Sequence, residues 1–426
     1  MKRLLLNLIY KLHQKIFNNE ISSGEKAFLK NVGLVLLATL FAKGLLFMVQ
    51  TIGGRVLGPA IYGKVNLIIS IGTILCLPII IFSGGNALTK FYQEEESQVK
   101  KTELLSTITI SYFVIFIFSG IILFLIKGLL SIVFKVEIST IILSIFYALL
   151  VALSSYSDNF LKTLLKFKEL STIQIISHSV LFITFVYLYF TGRGIYLILL
   201  PLFSIHIISF FLTTKYIIPK IKITFNQKVF NKISQYNQFI IFASVSGIVL
   251  ANVDKIMLNY FYGTESVGMY QAYFLASTII IATITGVFIN VLFPTITQFK
   301  EKGSAFKKIN KLLLFSTPLA FMVLLPITYI IVVKIYDYPF LINSWIIFCL
   351  ASTLLSINMV YMSLLTATSL RKTKNYFYGM ILQTASNILF NVILIPKYYI
   401  TGAVLATLLS TSLGIVYFYY ALKKKN

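Results

Sequence analysis

The sequence predicts an all-α polytopic membrane protein of about twelve transmembrane helices, written as two copies of one six-helix unit. Three observations carry that prediction. Hydrophobic residues make up 58% of the 426, mean hydropathy is +0.88 and only 12% are charged, about half the charged share of a soluble domain. Apolar runs near the ~20 residues that cross a ~30 Å hydrocarbon core recur along the whole chain. One short arrangement of glycines is also repeated about half a chain later.

Taken in order, the spans fall at 29–50, 61–84, 104–127, 138–157, 172–191 and 194–214 in the first half. They fall at 238–262, 268–294, 312–334, 341–368, 376–396 and 400–422 in the second. Strong helical runs, rather than short alternating segments, exclude an outer-membrane barrel. Before the first span, residues 1–28 form a separate segment in which Leu5, Leu8, Ile9, Leu12 and Ile16 share one helical face. That pattern predicts an amphipathic helix lying on the cytoplasmic leaflet rather than a cleaved signal. The map is then an N-terminal lobe over 29–214, a basic linker over 215–237, a C-terminal lobe over 238–422 and a basic tail over 423–426. Prolines 78, 201, 318 and 326 interrupt spans, each removing a backbone donor and bending its helix.

The net charge of +24 would suggest nucleic acid in a soluble chain, but its placement points to topology. Lys and Arg crowd the N-terminus and every even-numbered connection, and roughly 28 of the 37 fall on that side. Both termini are therefore expected in the cytoplasm, with no nucleic-acid partner and some affinity for anionic lipid. Cys76 and Cys349 sit inside apolar spans and read as small core residues. The histidines His13, His178 and His206 are too scattered for a metal site. They read as packing or hydrogen-bonding groups, with a proton-linked role as the alternative for the two near spans five and six.

The repeat is specific. Arg55, Gly58, Pro59, Tyr62 and Gly63 follow the first span; Tyr260, Gly263, Glu265, Gly268 and Tyr270 follow the seventh, about 205 residues later. Gly58 and Gly63, like Gly263 and Gly268, bracket a polar turn. At least one glycine of such a turn is expected in a conformation costly for other residues. Basic turns at Lys166–Lys168 and Arg371–Lys374 recur at the same offset, each before two closely spaced spans. An even number of spans per unit makes the copies parallel repeats, related by an axis along the membrane normal.

There is no nucleophile elbow, P-loop or paired-carboxylate site, so neither an enzyme nor a cofactor is expected. What remains is polarity inside the membrane. Lys43 and Gln50 lie two turns apart on one face of the first span; Asn252 and Lys255, with Asp254 beside them, lie in the seventh. The repeat offset places Gln50 opposite Lys255. Ionisable groups at such depth usually face a bundle interior or a water-filled cavity. If the stripes meet, they line a cavity of net positive charge suited to an anion such as phosphate. Snorkelling of Lys43 and purely structural roles for Asp254 and Lys255 are the alternatives. Arg55 belongs at the outer surface or the cavity mouth, and Asn290, Asn358 and Asn387 read as interhelical links.

The chain resembles the Wzx-type polysaccharide flippases, in the superfamily that also holds multidrug extruders and lipid II flippases. The resemblance rests on Arg55-Val-Leu-Gly-Pro-Ala-Ile-Tyr-Gly63, Gly84-Gly-Asn-Ala-Leu-Thr-Lys-Phe-Tyr92 and Asp254-Lys-Ile-Met-Leu-Asn-Tyr-Phe-Tyr-Gly263. It continues in Leu292-Phe-Pro-Thr295 and Asn391-Val-Ile-Leu-Ile-Pro-Lys-Tyr-Tyr-Ile-Thr-Gly-Ala403. It implies two lobes forming a V around a cationic cavity in a prokaryotic inner membrane. It also implies that an undecaprenyl-diphosphate-linked oligosaccharide is moved to the outer leaflet for surface polysaccharide such as O-antigen or capsule. A polysaccharide polymerase and chain-length machinery are the implied partners. Two departures stand out: Thr264 follows Gly263 where Pro is usual, and Lys occupies 255 where Arg is frequent. Lys binds phosphate as a point charge, without bidentate geometry. A cation-coupled drug or metabolite extruder on the same fold is the alternative, with Asp254 as its only obvious acid in the seventh span. A membrane glycan polymerase or ligase is disfavoured by the lack of a large extracytoplasmic loop.

Overall fold

The computed structural model describes residues 23–81, 85–192, 194–286, 288–289, 302–368 and 370–423. The expected surface helix over residues 1–22, Asn290 and the motif Leu292–Thr295 lie outside the described residues. The described chain is helical throughout, and its helices are α1 (Ser23–Leu75), α2 (Leu77–Ile80), α3 (Gly85–Glu94), α4 (Gln98–Leu125) and α5 (Lys127–Phe134). Next come α6 (Ile138–Thr163), α7 (Phe167–Thr191), α8 (Tyr196–Ile217) and α9 (Gln227–Tyr262). The last four are α10 (Thr264–Gly286), α11 (Lys302–Tyr329), α12 (Ile342–Thr368) and α13 (Leu370–Lys423).

Among the described residues, nine helices are long and apolar enough to cross a membrane. Two of them, Gly33–Ile80 with 48 residues and Lys374–Lys423 with 50, are each long enough at ~1.5 Å per residue to cross a ~30 Å core twice. Both are broken where a crossing must end. The first breaks at Gly58 (φ 69°, ψ 167°), just before Pro59; the second breaks at Tyr399 (φ 56°, ψ −134°), after Pro396. With α9 added, these crossings match the twelve expected spans.

Three boundaries differ from expectation, each for a local reason. α9 begins eleven residues before position 238 because Asn226 caps it, accepting from the backbone N–H groups of Lys228 (2.8 Å) and Val229 (3.3 Å). The start of the expected linker is also tied down. Lys222 N–H donates to Ser106 Oγ (2.9 Å) and Asn226 Nδ2 to Glu103 Oε1 (2.7 Å), docking this segment on α4. Pro78, expected to bend the second span, instead lies at the start of the one-turn α2, where a missing N–H is harmless. Finally, the span expected at 312–334 ends in a π-helical stretch, Ile330–Ile335.

The two glycine turns meet. Gly58 (φ 69°) and Gly263 (φ 80°) both have positive φ with extended ψ, a region open almost only to glycine. Gly63 and Gly268 serve a different purpose. A Cβ on Gly63 would overlap the carbonyl of Thr264, and one on Gly268 would overlap the carbonyl of Pro59. Thr264 and Pro59 are themselves equivalent under the repeat offset. The contact is thus reciprocal, residue i touching j′ and i′ touching j, as a two-fold-related contact requires. The breaks at Gly194 (φ 52°) and Tyr399 (φ 56°) obey the same offset.

The main core cluster surrounds this junction. Tyr62, Val65, Leu258, Val267, Tyr273, Val332 and Tyr336 are all at most 1% exposed there. α1 packs on α10, α7, α6 and α9, while α13 packs on α12 and α9. Cys76 and Cys349 are free and buried, as expected of core residues.

Candidate functional site

The residues singled out in spans one and seven do not form a single stripe. Lys43 projects from α1 across to α10, where its Nζ donates to Thr283 Oγ1 at 3.2 Å. It lies about 22 Å along the helix from the break at Gly58, and the residue is exposed. Lys255 on α9 is 6% exposed, with Nζ 5.5 Å from the ring centroid of Phe274 on α10. Such a contact is worth about 2 kcal/mol when desolvated, less than the several kcal/mol that burying an ammonium costs. Among the described residues Lys255 has no hydrogen-bond partner, and neither lysine has an ion pair.

Thr283 and Phe274 are nine residues apart on α10, so the two ammonium groups sit at levels about 13 Å apart along that helix. Lys43 is thus at the level farther from the glycine turns and Lys255 at the level nearer to them. Phe274 is followed at once by the π-helical stretch Leu275–Ile279, a local widening that frequently marks functional sites.

Asn252, one turn before Lys255, turns its Nδ2 to the carbonyl of Ile248 on its own helix (2.9 Å). Asp254 turns away from both. Its carboxylate accepts from Tyr270 OH, Asn391 Nδ2 and Thr407 Oγ1, each at 2.6 Å, and the residue is 4% exposed. Asn387 extends this knot by accepting from Asn391 (3.0 Å). The result is a polar clamp joining α9, α10 and both arms of α13, with no cationic side chain bonded to the carboxylate among the described residues. Asn358 also links helices, donating to Gln383 Oε1 at 2.9 Å.

Gln50 is 6% exposed, and its Oε1 is buried without a partner. Its backbone carbonyl belongs to a tyrosine closure that sequence reasoning missed. Tyr336 OH donates to Gln50 O (3.3 Å), Tyr62 OH lies 3.0 Å from Tyr336 OH, and Tyr338 OH donates to Gly54 O (2.7 Å). Because the Tyr336 hydrogen is directed to Gln50, Tyr62 is the donor within the tyrosine pair. Arg55 completes the closure, its Nη1 donating to Lys334 O at 3.5 Å. Tyr273 OH donates to Pro339 O (3.1 Å) and accepts from Leu341 N–H (2.8 Å). These bonds fasten the middle of α1, around its break, and Tyr273 of α10 to the 334–341 segment, while the glycine contact joins α1 to α10. The available signal was the sequence Tyr336-Asp-Tyr-Pro339 between spans nine and ten, polar aromatics grouped at a membrane boundary.

Comparison with known proteins follows this geometry. Residues 28–300 match the family model described as "Polysaccharide biosynthesis protein". An uncharacterized membrane protein of Methanocaldococcus jannaschii is 27% identical over 216 residues; the match spans 47% of this chain and only 41% of that protein. Among solved structures, the lipid II flippase MurJ in an inward closed conformation aligns with a TM-score of 0.58 at 19% identity, covering 92% of this chain and 87% of that one. An inward-facing multidrug resistance MATE family transporter aligns at 0.63 and 11% identity, covering 91% and 94%. A MOP superfamily transporter from Pyrococcus furiosus, described as having a binding pocket of reverse polarity, aligns at 0.60 and 13%, covering 93% and 97%. These likenesses establish the fold alone: the chain folds as those proteins do. The family-model match covers most of the chain, which therefore belongs to the polysaccharide biosynthesis protein family.

Proposed function

We propose that the protein flips an undecaprenyl-diphosphate-linked oligosaccharide from the cytoplasmic to the outer leaflet of a prokaryotic inner membrane, for assembly of a surface polysaccharide. The observation that carries this reading is the pair of lysines in the apolar spans at the α1–α9–α10 junction, neither of them in an ion pair among the described residues. A cation held in a medium of low dielectric without a counter-ion attracts a mobile anion strongly. Family membership and the lipid II flippase among the fold relatives support a lipid-linked cargo. The diphosphate meets Lys43 first and Lys255 second, while the glycan occupies aqueous space and the polyprenyl tail stays in lipid.

In this reading the lobes 29–214 and 238–422 form a V, both termini lie in the cytoplasm, and alternating access follows from rocking of one lobe on the other. The tyrosine and glycine closure lies at the outer end in that orientation, which supports an inward-open resting state. Polymerase and chain-length machinery act on the delivered product, so the chain itself performs no covalent chemistry. The test is surface glycan in a strain lacking its own flippase: Lys43→Ala and Lys255→Ala abolish display at near-normal protein level, and Arg at either position restores part of it. Wild-type display by both alanine variants would overturn the reading.

A second reading, a cation-coupled extruder, is favoured by one observation: among the described residues no cationic side chain is bonded to the buried Asp254 carboxylate. It predicts export of a cationic dye that is lost in Asp254→Asn, with no effect on glycan display.

A further inference from the structure

The basic turn between α6 and α7 has no part in the Lys43–Lys255 pair or the Asp254 knot. α6 closes there with Leu165 in the left-handed region (φ 55°), and the N–H of Lys166 returns to the carbonyl of Leu161 at 2.9 Å. That closure fixes the backbone beneath Lys166. Across the turn stands Tyr216, one residue before the end of α8, packed on the buried Leu161, Leu170 and Ile173. Lys166 Nζ lies 4.4 Å from the centroid of the Tyr216 ring, and Lys215 Nζ lies 5.0 Å from the same centroid. Two ammonium groups are thus held around one aromatic ring. Among the described residues neither has an ion pair, and the Tyr216 hydroxyl has no hydrogen-bond partner. The acid nearest Lys166 in sequence, Glu169, sits in the first turn of α7, where the helix N-terminus favours a carboxylate.

We infer that Lys166, Lys215 and the Tyr216 hydroxyl form a binding site for the phosphate of an anionic phospholipid, whose acyl chain lies along α8. A cation over an exposed ring gains little from it, and two such cations repel each other, so a shared anion relieves both. Lysine binds phosphate as a point charge, and the phenolic hydroxyl supplies a neutral donor beside it. The choice of a lipid rather than a free phosphate comes from the surface next to the ring. Ile207 and Phe211 precede Lys215 by about two turns and one turn on the same face of α8, and they are 50% and 70% exposed. An apolar stripe that ends in cations has the outline of an acyl chain and its head group. The general attraction of basic turns to an anionic leaflet does not account for this arrangement. At the repeat offset Arg371 stands where Lys166 does, but Tyr420 and Ala421 replace Lys215 and Tyr216. The second copy keeps the basic turn without the shared ring, so the site belongs to the first copy alone. It is independent of the cargo.

The test uses the full chain in detergent, delipidated in steps, with retained lipid counted by native mass spectrometry. Phosphatidylglycerol is the probe and phosphatidylcholine the zwitterionic comparison. The wild-type chain should hold phosphatidylglycerol through washing that strips phosphatidylcholine. Lys166→Gln with Lys215→Gln should lower retained phosphatidylglycerol several-fold, whereas Lys166→Arg with Lys215→Arg should keep it. Lys162 and Lys168 are exposed in the same turn, so Lys162→Gln with Lys168→Gln removes equal charge and should leave retention unchanged. Tyr216→Phe keeps the ring and should give a smaller loss, and Phe211→Asn should weaken retention with the phosphate contacts intact. Circular dichroism confirms that each variant is folded. Glycerol phosphate, which lacks the acyl chain, should not displace the lipid at equal concentration. Equal retention of the two lipids by the wild-type chain, or equal losses from the two glutamine pairs, would overturn the site. Displacement by glycerol phosphate would overturn its assignment to a lipid.

Discussion

The segment 43–63 and its counterpart 248–268 match at one sequence offset and differ in an ordered way. At the turns they are the same: Gly58 and Gly263 share a backbone conformation, and Gly63 and Gly268 press on each other's turns. Along the preceding helices they have diverged. Lys43 corresponds to Ile248, Gln50 to Lys255, and Val49, buried in apolar packing, to Asp254, buried in a hydrogen-bonded knot. Identity was kept where two backbones touch, because no side chain fits there. Charge moved freely where only an interior had to be filled. The shared turns thus hold the two segments together, and the differing side chains place one lysine at each of two levels.

The largest effect should come from breaking what the copies share. Gly63→Val or Gly268→Val forces the turns apart, and folded protein in membranes should fall several-fold, measured by detergent-resistant fluorescence of a tagged chain. Gly58→Ala and Gly263→Ala keep the contact but occupy a φ that costs about 1–3 kcal/mol, so they should lower thermal stability by a smaller step. Equal, negligible losses at all four positions would reduce the motif to ancestry.

Next comes a position where the copies differ. Asp254→Ala removes the acceptor of three donors, and breaking a buried charged network costs about 3–5 kcal/mol. Asp254→Asn retains an acceptor and should lose less, so the two variants should differ in thermal unfolding in detergent. Val49→Ala at the equivalent site leaves only a small apolar cavity and should cost less than Asp254→Ala.

Orientation has its own test. Cysteines at Lys100 and Lys307 should resist an impermeant thiol reagent in intact cells, while one at Lys135 is labelled; the native Cys76 and Cys349 are buried and stay silent. The opposite pattern would invert the membrane orientation and the direction of transport. The smallest effect belongs to Lys64, which donates to Glu137 at 2.8 Å and so holds that carboxyl below its ordinary value of 4.5. A depressed carboxylate adds stability above its unfolded pKa and loses it as pH falls through the folded value. Lys64→Gln should therefore change unfolding slightly at neutral pH and not at all in strong acid.

Much of this frame was legible in the sequence because hydropathy, Lys/Arg placement and glycine spacing are local signals. Gly58 and Gly63 could be named, although only the structure separates the first, needed for its φ, from the second, needed for its lack of a side chain. The start of α9 was missed because Asn226 caps a helix that begins polar and becomes apolar only later. The Asp254 knot was not legible, since Asn391 and Thr407 lie 137 and 153 residues away along the chain. Lys43 and Lys255 were found from depth alone, but their separation by two levels of α10 depends on packing that periodicity does not encode.

The proposal that Lys43 and Lys255 carry an anionic head group through the membrane is tested most directly by the double variant Lys43→Gln, Lys255→Gln. It should be expressed in a strain lacking its own flippase, with surface glycan and membrane abundance measured together. Each charge-assisted hydrogen bond contributes about 1.5–3 kcal/mol, so each single variant should lose roughly ten- to a hundred-fold in translocation and the double variant should display almost none at normal abundance. Full glycan display by the double variant would contradict the account.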